Sequence, residues 1–194
     1  MNLLHRISFL LRITRSHDIV RRYFVVNGFD GALTMLGLIM GFLLSEPTEL
    51  SVVIGACLGA AIALGVSGVS SAYISESAER QLALDQLEKA MVTDLQQSAH
   101  GHAARWVPML IALVNGSAPL IISLLILTPL WLAHGGIRLP IPPLPAAIAV
   151  AMGLVFLLGV FLGRIAGISW WHSGLRTLLV ALATTVLIYL FASG

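Results

Sequence analysis

The sequence predicts an all-α integral membrane protein with five transmembrane helices, its N-terminus inside and its C-terminus outside. Three observations carry this expectation. Of 194 residues, 58% are hydrophobic and only 10% are charged, against roughly a quarter charged in a soluble domain. A chain so short of charge cannot cover itself with a water-facing surface. Five apolar stretches reach the length of about 20 residues that a helix needs to cross a bilayer core of ~30 Å. Threaded through a membrane, they leave ten of the eleven Lys and Arg residues on one side, with only Arg138 on the other, and that side is the cytoplasm by the positive-inside rule.

The elements follow in order. Leu3, Leu4, Ile7, Leu10 and Leu11 recur at helical spacing with Arg6, Arg12 and Arg15 between and beside them, which predicts an amphipathic helix on the inner membrane surface within residues 1–22. The same arginines interrupt the run before a signal-peptide core can build up. The first span covers 23–45 and is broken only by Asp30; the second, 51–74, is free of charge and rich in Gly and Ala. A cytoplasmic segment, 75–105, begins as a helix that continues out of the membrane over 75–97, with Leu82, Leu84, Leu87, Met91 and Leu95 as its apolar positions. The remaining spans, 107–132, 144–163 and 174–192, make up the region 106–194. Prolines at 140, 142, 143 and 145 break the chain between the third and fourth spans, because proline cannot continue a helix. Trp131 and the pair Trp170-Trp171 mark membrane interfaces.

Several function classes drop out at this level. The lone Cys57 excludes a disulfide within the chain and a cysteine-based metal cluster. The net charge of +2 does not point to nucleic acid, because the basic residues flank membrane segments. The sequence contains no phosphate-binding loop, no nucleophile–base arrangement and no His-Glu-x-x-His, so the expectation is a non-enzyme with no permanently bound cofactor.

Asp30 is the most informative residue. An ionised carboxylate in hydrocarbon is expensive and usually faces protein or an aqueous path. Asp30, Thr34, Gly37 and Gly41 share one helical stripe, where the glycines would admit a neighbouring helix and the oxygens would face the same seam. The stripe fits an ion or proton site, or a carboxylate hydrogen-bonded for packing. In the second span, Gly55 and Gly59 have small-xxx-small spacing. Further on, Gly65, Gly68, Ala72, Glu76 and Glu79 fall along one face beside Ser67, Ser70, Ser71 and Ser75, which suits a wet cation entrance or a solvated face with Arg80. Asp85, Glu88, Met91 and Asp94 follow at steps of three and could cluster around a metal, carboxylates with a thioether suiting Mn²⁺ or Fe²⁺ over Mg²⁺ or Ca²⁺; the alternative is a plain amphipathic helix with Met91 in its apolar face. His100 and His102, two apart in a loop, could add nitrogen ligands. Asn115-Gly116-Ser117-Ala118-Pro119 interrupts the third span, as a kink beside a binding site or a purely structural one.

The order of these features resembles the vacuolar iron transporter family. The resemblance runs through Asn27-Gly28-Phe29-Asp30-Gly31 with Ala32-Leu33-Thr34, and through Gly68 to Ser75 with Glu76 and Glu79. It continues in Gly116 with Pro119 and in the last hairpin from Gly163-Arg164 through Gly174-Leu175-Arg176. It covers roughly 17–194. Two departures stand out: Ser71-Ala72-Tyr73 replaces the family's Gly-Glu-Tyr, and the cytoplasmic segment is shorter than the family's metal-binding domain. The resemblance implies a homodimer that exports Fe²⁺ or Mn²⁺ from the cytoplasm in exchange for protons, with the path between the first two spans of each protomer. Asp30 would be the intramembrane ligand, with Thr34 and Glu76 in the transport and proton-coupling path. Glu76, Glu79, Glu88 and Met91 would collect metal at the entrance. The host would be a prokaryotic inner membrane. A membrane scaffold or regulatory subunit, or a carrier of another cation or a small solute, are the competing expectations.

Overall fold

The computed structural model describes residues 16–45 and 48–192; the amphipathic helix expected over 3–15 lies outside them. Five α-helices follow in order: α1 (Ser16–Leu44), α2 (Leu50–Met91), α3 (Ala99–His134), α4 (Pro143–Ile165) and α5 (Trp170–Ala192). Each contains a stretch long and apolar enough to cross a membrane, so the chain is an all-α integral membrane protein. No strand occurs among the described residues.

Two helices outrun their spans. With 42 residues and a rise of 1.5 Å per residue, α2 is about 63 Å long, twice a bilayer core. The helix expected to continue out of the second span over 75–97 is the end of α2, which stops at Met91; a turn and the start of α3 at Ala99 complete the segment 75–105. Residues 16–22 likewise belong to the helix of the first span. In the α2–α3 turn Val92 takes a left-handed conformation, φ 52°, as the chain leaves the helix. Ser98 then caps α3, its Oγ accepting from the amides of His100 (3.2 Å) and Gly101 (3.3 Å), which satisfies two of the orphan donors of a helix start.

The residues divide into two compact units: one runs up to Phe24 and over Gly65–Ser117, the other over Val25–Leu64 and from Ala118 on. In the first, Ala103, Val107 and Ile111 of α3 form a buried cluster against Val20 and Tyr23 of α1. Beside it α2 and α3 meet backbone to backbone. A Cβ on Gly68 would lie 3.0 Å from the Gly116 Cα, and one on Gly116 would strike the Gly65 carbonyl and Val69. In the second unit Val25, Gly28, Ala32, Met35 and Ile39 bury one face of α1, at the three- and four-residue steps of a helix face. Helices α4 and α5 form a hairpin seated on glycines: Gly159 against Thr177, Gly163 against Ser173, and Gly174 against Phe156. Thr177 Oγ1 donates to the Val155 carbonyl across that hairpin at 3.1 Å.

Asn115 to Pro119 does not interrupt α3, which is helical throughout. The sequence expectation of a break is corrected: these small residues are the points where other helices come closest. In the first unit Gly116 meets α2. In the second, a Cβ on Gly31 of α1 would sit 2.7 Å from both the Cα and the carbonyl oxygen of Pro119.

Candidate functional site

Rotation of α1 about its own axis decides what Asp30 can do. Gly28 faces Leu158 and Ile122, and Gly31 faces Pro119, both at close range. At 100° per residue, Asp30 lies about 130° round from the midpoint of those two glycines. It is therefore turned away from the packed face and is exposed. Thr34, Gly37 and Gly41 continue the same side, half-buried; Gly37 meets only Ile188 at 3.7 Å and Gly41 has no atom within 4 Å of a built Cβ. The sequence expectation placed Asp30 buried and Gly37 and Gly41 at a helix contact. Within one chain Asp30 is open, with no hydrogen-bond or ion-pair partner among the described residues, and the close contacts belong to Gly28 and Gly31.

Glu76 sits in the other unit and is treated in the opposite way. It is buried, 5% exposed, at the end of the α2 stripe Gly65, Gly68, Ala72. The stripe is buried from Gly65 to Glu76, with α3 packed on its Gly65–Gly68 part. Glu79, one turn further along the same stripe, is exposed. Tyr23 Oη donates to Glu76 Oε1 at 3.2 Å, and Arg80 Nε lies 3.7 Å from Glu76 Oε2. Asn115 Nδ2 donates to the Gly68 carbonyl at 2.8 Å, tying the seam together one helix stretch away. Tyr23 drew no attention in the sequence, because nothing local marks a tyrosine 53 residues from its carboxylate.

Of the serines near the end of the second span, Ser70, Ser71 and Ser75 bond to carbonyls of their own helix. Ser70 Oγ donates to the Val66 carbonyl (2.8 Å) and Ser75 Oγ to the Ala72 carbonyl (3.3 Å), the back-bonding open to Ser in any helix. The polarity of these three therefore requires no water path.

The acidic run 85–94 does not converge on one point. Asp85 accepts from Gln81 Nε2 at 2.9 Å. Glu88 Oε1 accepts from the Leu95 amide at 2.9 Å, and Asp94 Oδ1 from the Gln96 amide at 2.8 Å, so both carboxylates shape the α2–α3 turn. Asp94 lies past the end of α2, which removes it from the expected helical row, and Met91 is 58% exposed. Asp85, Glu88 and Asp94 do line one open depression of about 450 Å³ together with Lys89. His100 and His102 lie in the first turn of α3 and not in a loop, both exposed; residues two apart on a helix point in different directions. Among the described residues no three His, Cys, Asp or Glu side chains come together as a metal site.

No family model matches the chain. A protein of Methanocaldococcus jannaschii, Uncharacterized protein MJ0645, is 31% identical over 172 residues, spanning 87% of this chain and 86% of its own length. Identity at that level over nearly the full length of both proteins establishes common descent, and the chain belongs to the same family as that archaeal protein.

Proposed function

We propose that the chain carries a divalent transition-metal ion, Fe²⁺ or Mn²⁺, out of the cytoplasm in exchange for protons. Asp30 is the intramembrane ligand, and two copies of the chain share a pathway along α1 and α2. One observation carries the reading: Asp30 stands within a membrane-span-length helix, exposed and without a partner among the described residues of its own chain. Such a group at membrane depth needs a second chain, an aqueous path or a cation to compensate it. An apolar membrane environment disfavours an ionised carboxylate and a bound cation favours it, so the same group can exchange a proton for a metal, the minimum an antiporter needs. The open side of α1 along Thr34, Gly37 and Gly41 supports close approach by a second copy. The archaeal relative supports a prokaryotic plasma membrane as the host.

The test is Mn²⁺ binding to purified protein in lipid nanodiscs, comparing wild type with Asp30→Asn. Binding in the wild type and its loss in the variant are expected; a wild type that ignores both Mn²⁺ and Fe²⁺ would point to another solute. One set of observations favours a different class, a membrane scaffold: Ser70, Ser75, Glu88 and Asp94 are all engaged in local structural bonds. A partner that co-purifies in fixed ratio with a flux-silent protein would support that reading.

A further inference from the structure

The α4–α5 hairpin carries a charge imbalance that the transport reading does not use. All nine Asp and Glu residues of the chain lie at or before Asp94, so the hairpin contains none. It nevertheless bears Arg164 in the last turn of α4 and Arg176 in the second turn of α5, both exposed. Neither has a carboxylate partner among the described residues. The Arg164 guanidinium lies over the Trp170 ring, 5.8 Å from its centroid. Trp170 in turn packs edge-on against Trp171 at 5.6 Å, and Trp171 against Phe156 at 5.4 Å. Gly163 lets this happen: a Cβ there would lie 2.9 Å from the Trp170 Cα, so the two helix ends approach closely beside Arg164. Both indoles remain about half exposed, at 48% and 57%.

We infer that the Arg164–Arg176 end of this hairpin is a binding surface for anionic phospholipid headgroups. Guanidinium groups recognise phosphate oxygens with paired donors. Indoles settle at the headgroup level with their apolar bodies toward the acyl chains. Exposed Ile165 and Ile168 follow Arg164 in the chain, and exposed Leu175 and Leu179 flank Arg176 along α5, an apolar surround that a free phosphate ion would leave in water and a lipid would cover. The occupant that satisfies both the charge and the apolar flank is therefore a lipid carrying net negative charge. This inference is independent of any transported ion.

Tryptophan quenching by brominated lipid tests it on the full-length protein. Trp106→Phe and Trp131→Phe leave Trp170 and Trp171 as reporters, and quenching by brominated phosphatidylglycerol is compared with that by brominated phosphatidylcholine. A basic residue beside an anionic surface contributes about 1 kcal/mol, or roughly fivefold, so phosphatidylglycerol is expected to be preferred by about fivefold or more. In Arg164→Gln/Arg176→Gln the ratio falls toward one, and in the double Lys variant it persists. If the Gln variant does not fold, salt decides on the unsubstituted arginines: raising it from about 0.1 M to about 1 M shortens the screening length from ~10 to ~3 Å and must erode the preference. Equal quenching by the two lipids overturns the inference, as does a preference that survives loss of both arginines or is indifferent to salt. A preference abolished by inorganic phosphate at constant ionic strength assigns the surface to a soluble anion, which also overturns it.

Discussion

Gly31→Ala is the sharpest test of how α1 is held. A Cβ at Gly31 would lie 2.7 Å from the Cα and carbonyl oxygen of Pro119, and neither atom is the end of a flexible side chain that could swing aside. Overpacking a tight contact costs typically 1–3 kcal/mol, and the better helix propensity of Ala returns roughly 0.5–1 kcal/mol. The net expectation is a loss of about 1–2 kcal/mol. The same substitution at Gly153 of α4, where no atom lies within 4 Å, should keep only the propensity gain. Thermal unfolding in detergent reads both: at roughly 2–4 °C per kcal/mol for a chain of this size, Gly31→Ala should lower the midpoint by several degrees. Gly153→Ala should hold it or raise it slightly. Equal midpoints for the two variants would refute the claim that Gly31 seats α1 on Pro119, and with it the argument that fixes the direction of Asp30.

The remaining expectations concern buried polar groups. Tyr23→Phe removes the 3.2 Å hydrogen bond that Tyr23 Oη donates to Glu76 Oε1 and should cost about 1 kcal/mol, within the range for hydrogen bonds between membrane helices. A double-mutant cycle with Glu76→Gln should show a coupling of similar size, and strictly additive effects would contradict the contact. Asn115→Ala breaks the 2.8 Å bond to Gly68 and should lower stability by about 1 kcal/mol. Ser123→Ala should be neutral or slightly stabilising, since its buried hydroxyl has no partner among the described residues and removing an unsatisfied group relieves a desolvation penalty; a marked loss in unfolding experiments would show that the hydroxyl is bonded after all.

Composition and apolar run length made the five helices legible, because membrane insertion rests on properties that any window of sequence displays. Helix faces were read less well. The stripe Gly65, Gly68, Ala72, Glu76 is one face, as its spacing says, yet spacing alone does not reveal that α3 packs on its Gly65–Gly68 part or that Tyr23 of α1 bonds Glu76. On α1 the glycines in sequence with Asp30 along a four-three-four stripe are the open ones, whereas Gly28 and Gly31 carry the close contacts. Small residues permit approach from either side, and only the neighbouring helices decide which side is used. The acidic row 85–94 looked like a ligand set because its spacing fits a helix; Val92 ends that helix first, and Glu88 and Asp94 turn their oxygens to the backbone of the next turn. The Tyr23–Glu76 bond was beyond reach, since it depends on a tertiary contact across 53 residues.

The most direct test of the proposed function is metal flux in proteoliposomes containing wild type or Asp30→Ala, followed with an internal reporter for Mn²⁺ or Fe²⁺, with and without a pH gradient. Flux that responds to the gradient in the wild type and disappears in the variant is expected, while both proteins insert and unfold alike. Wild-type flux retained in full by Asp30→Ala, or silence of a well-inserted wild type toward both metals in both gradient directions, would contradict the proposed function.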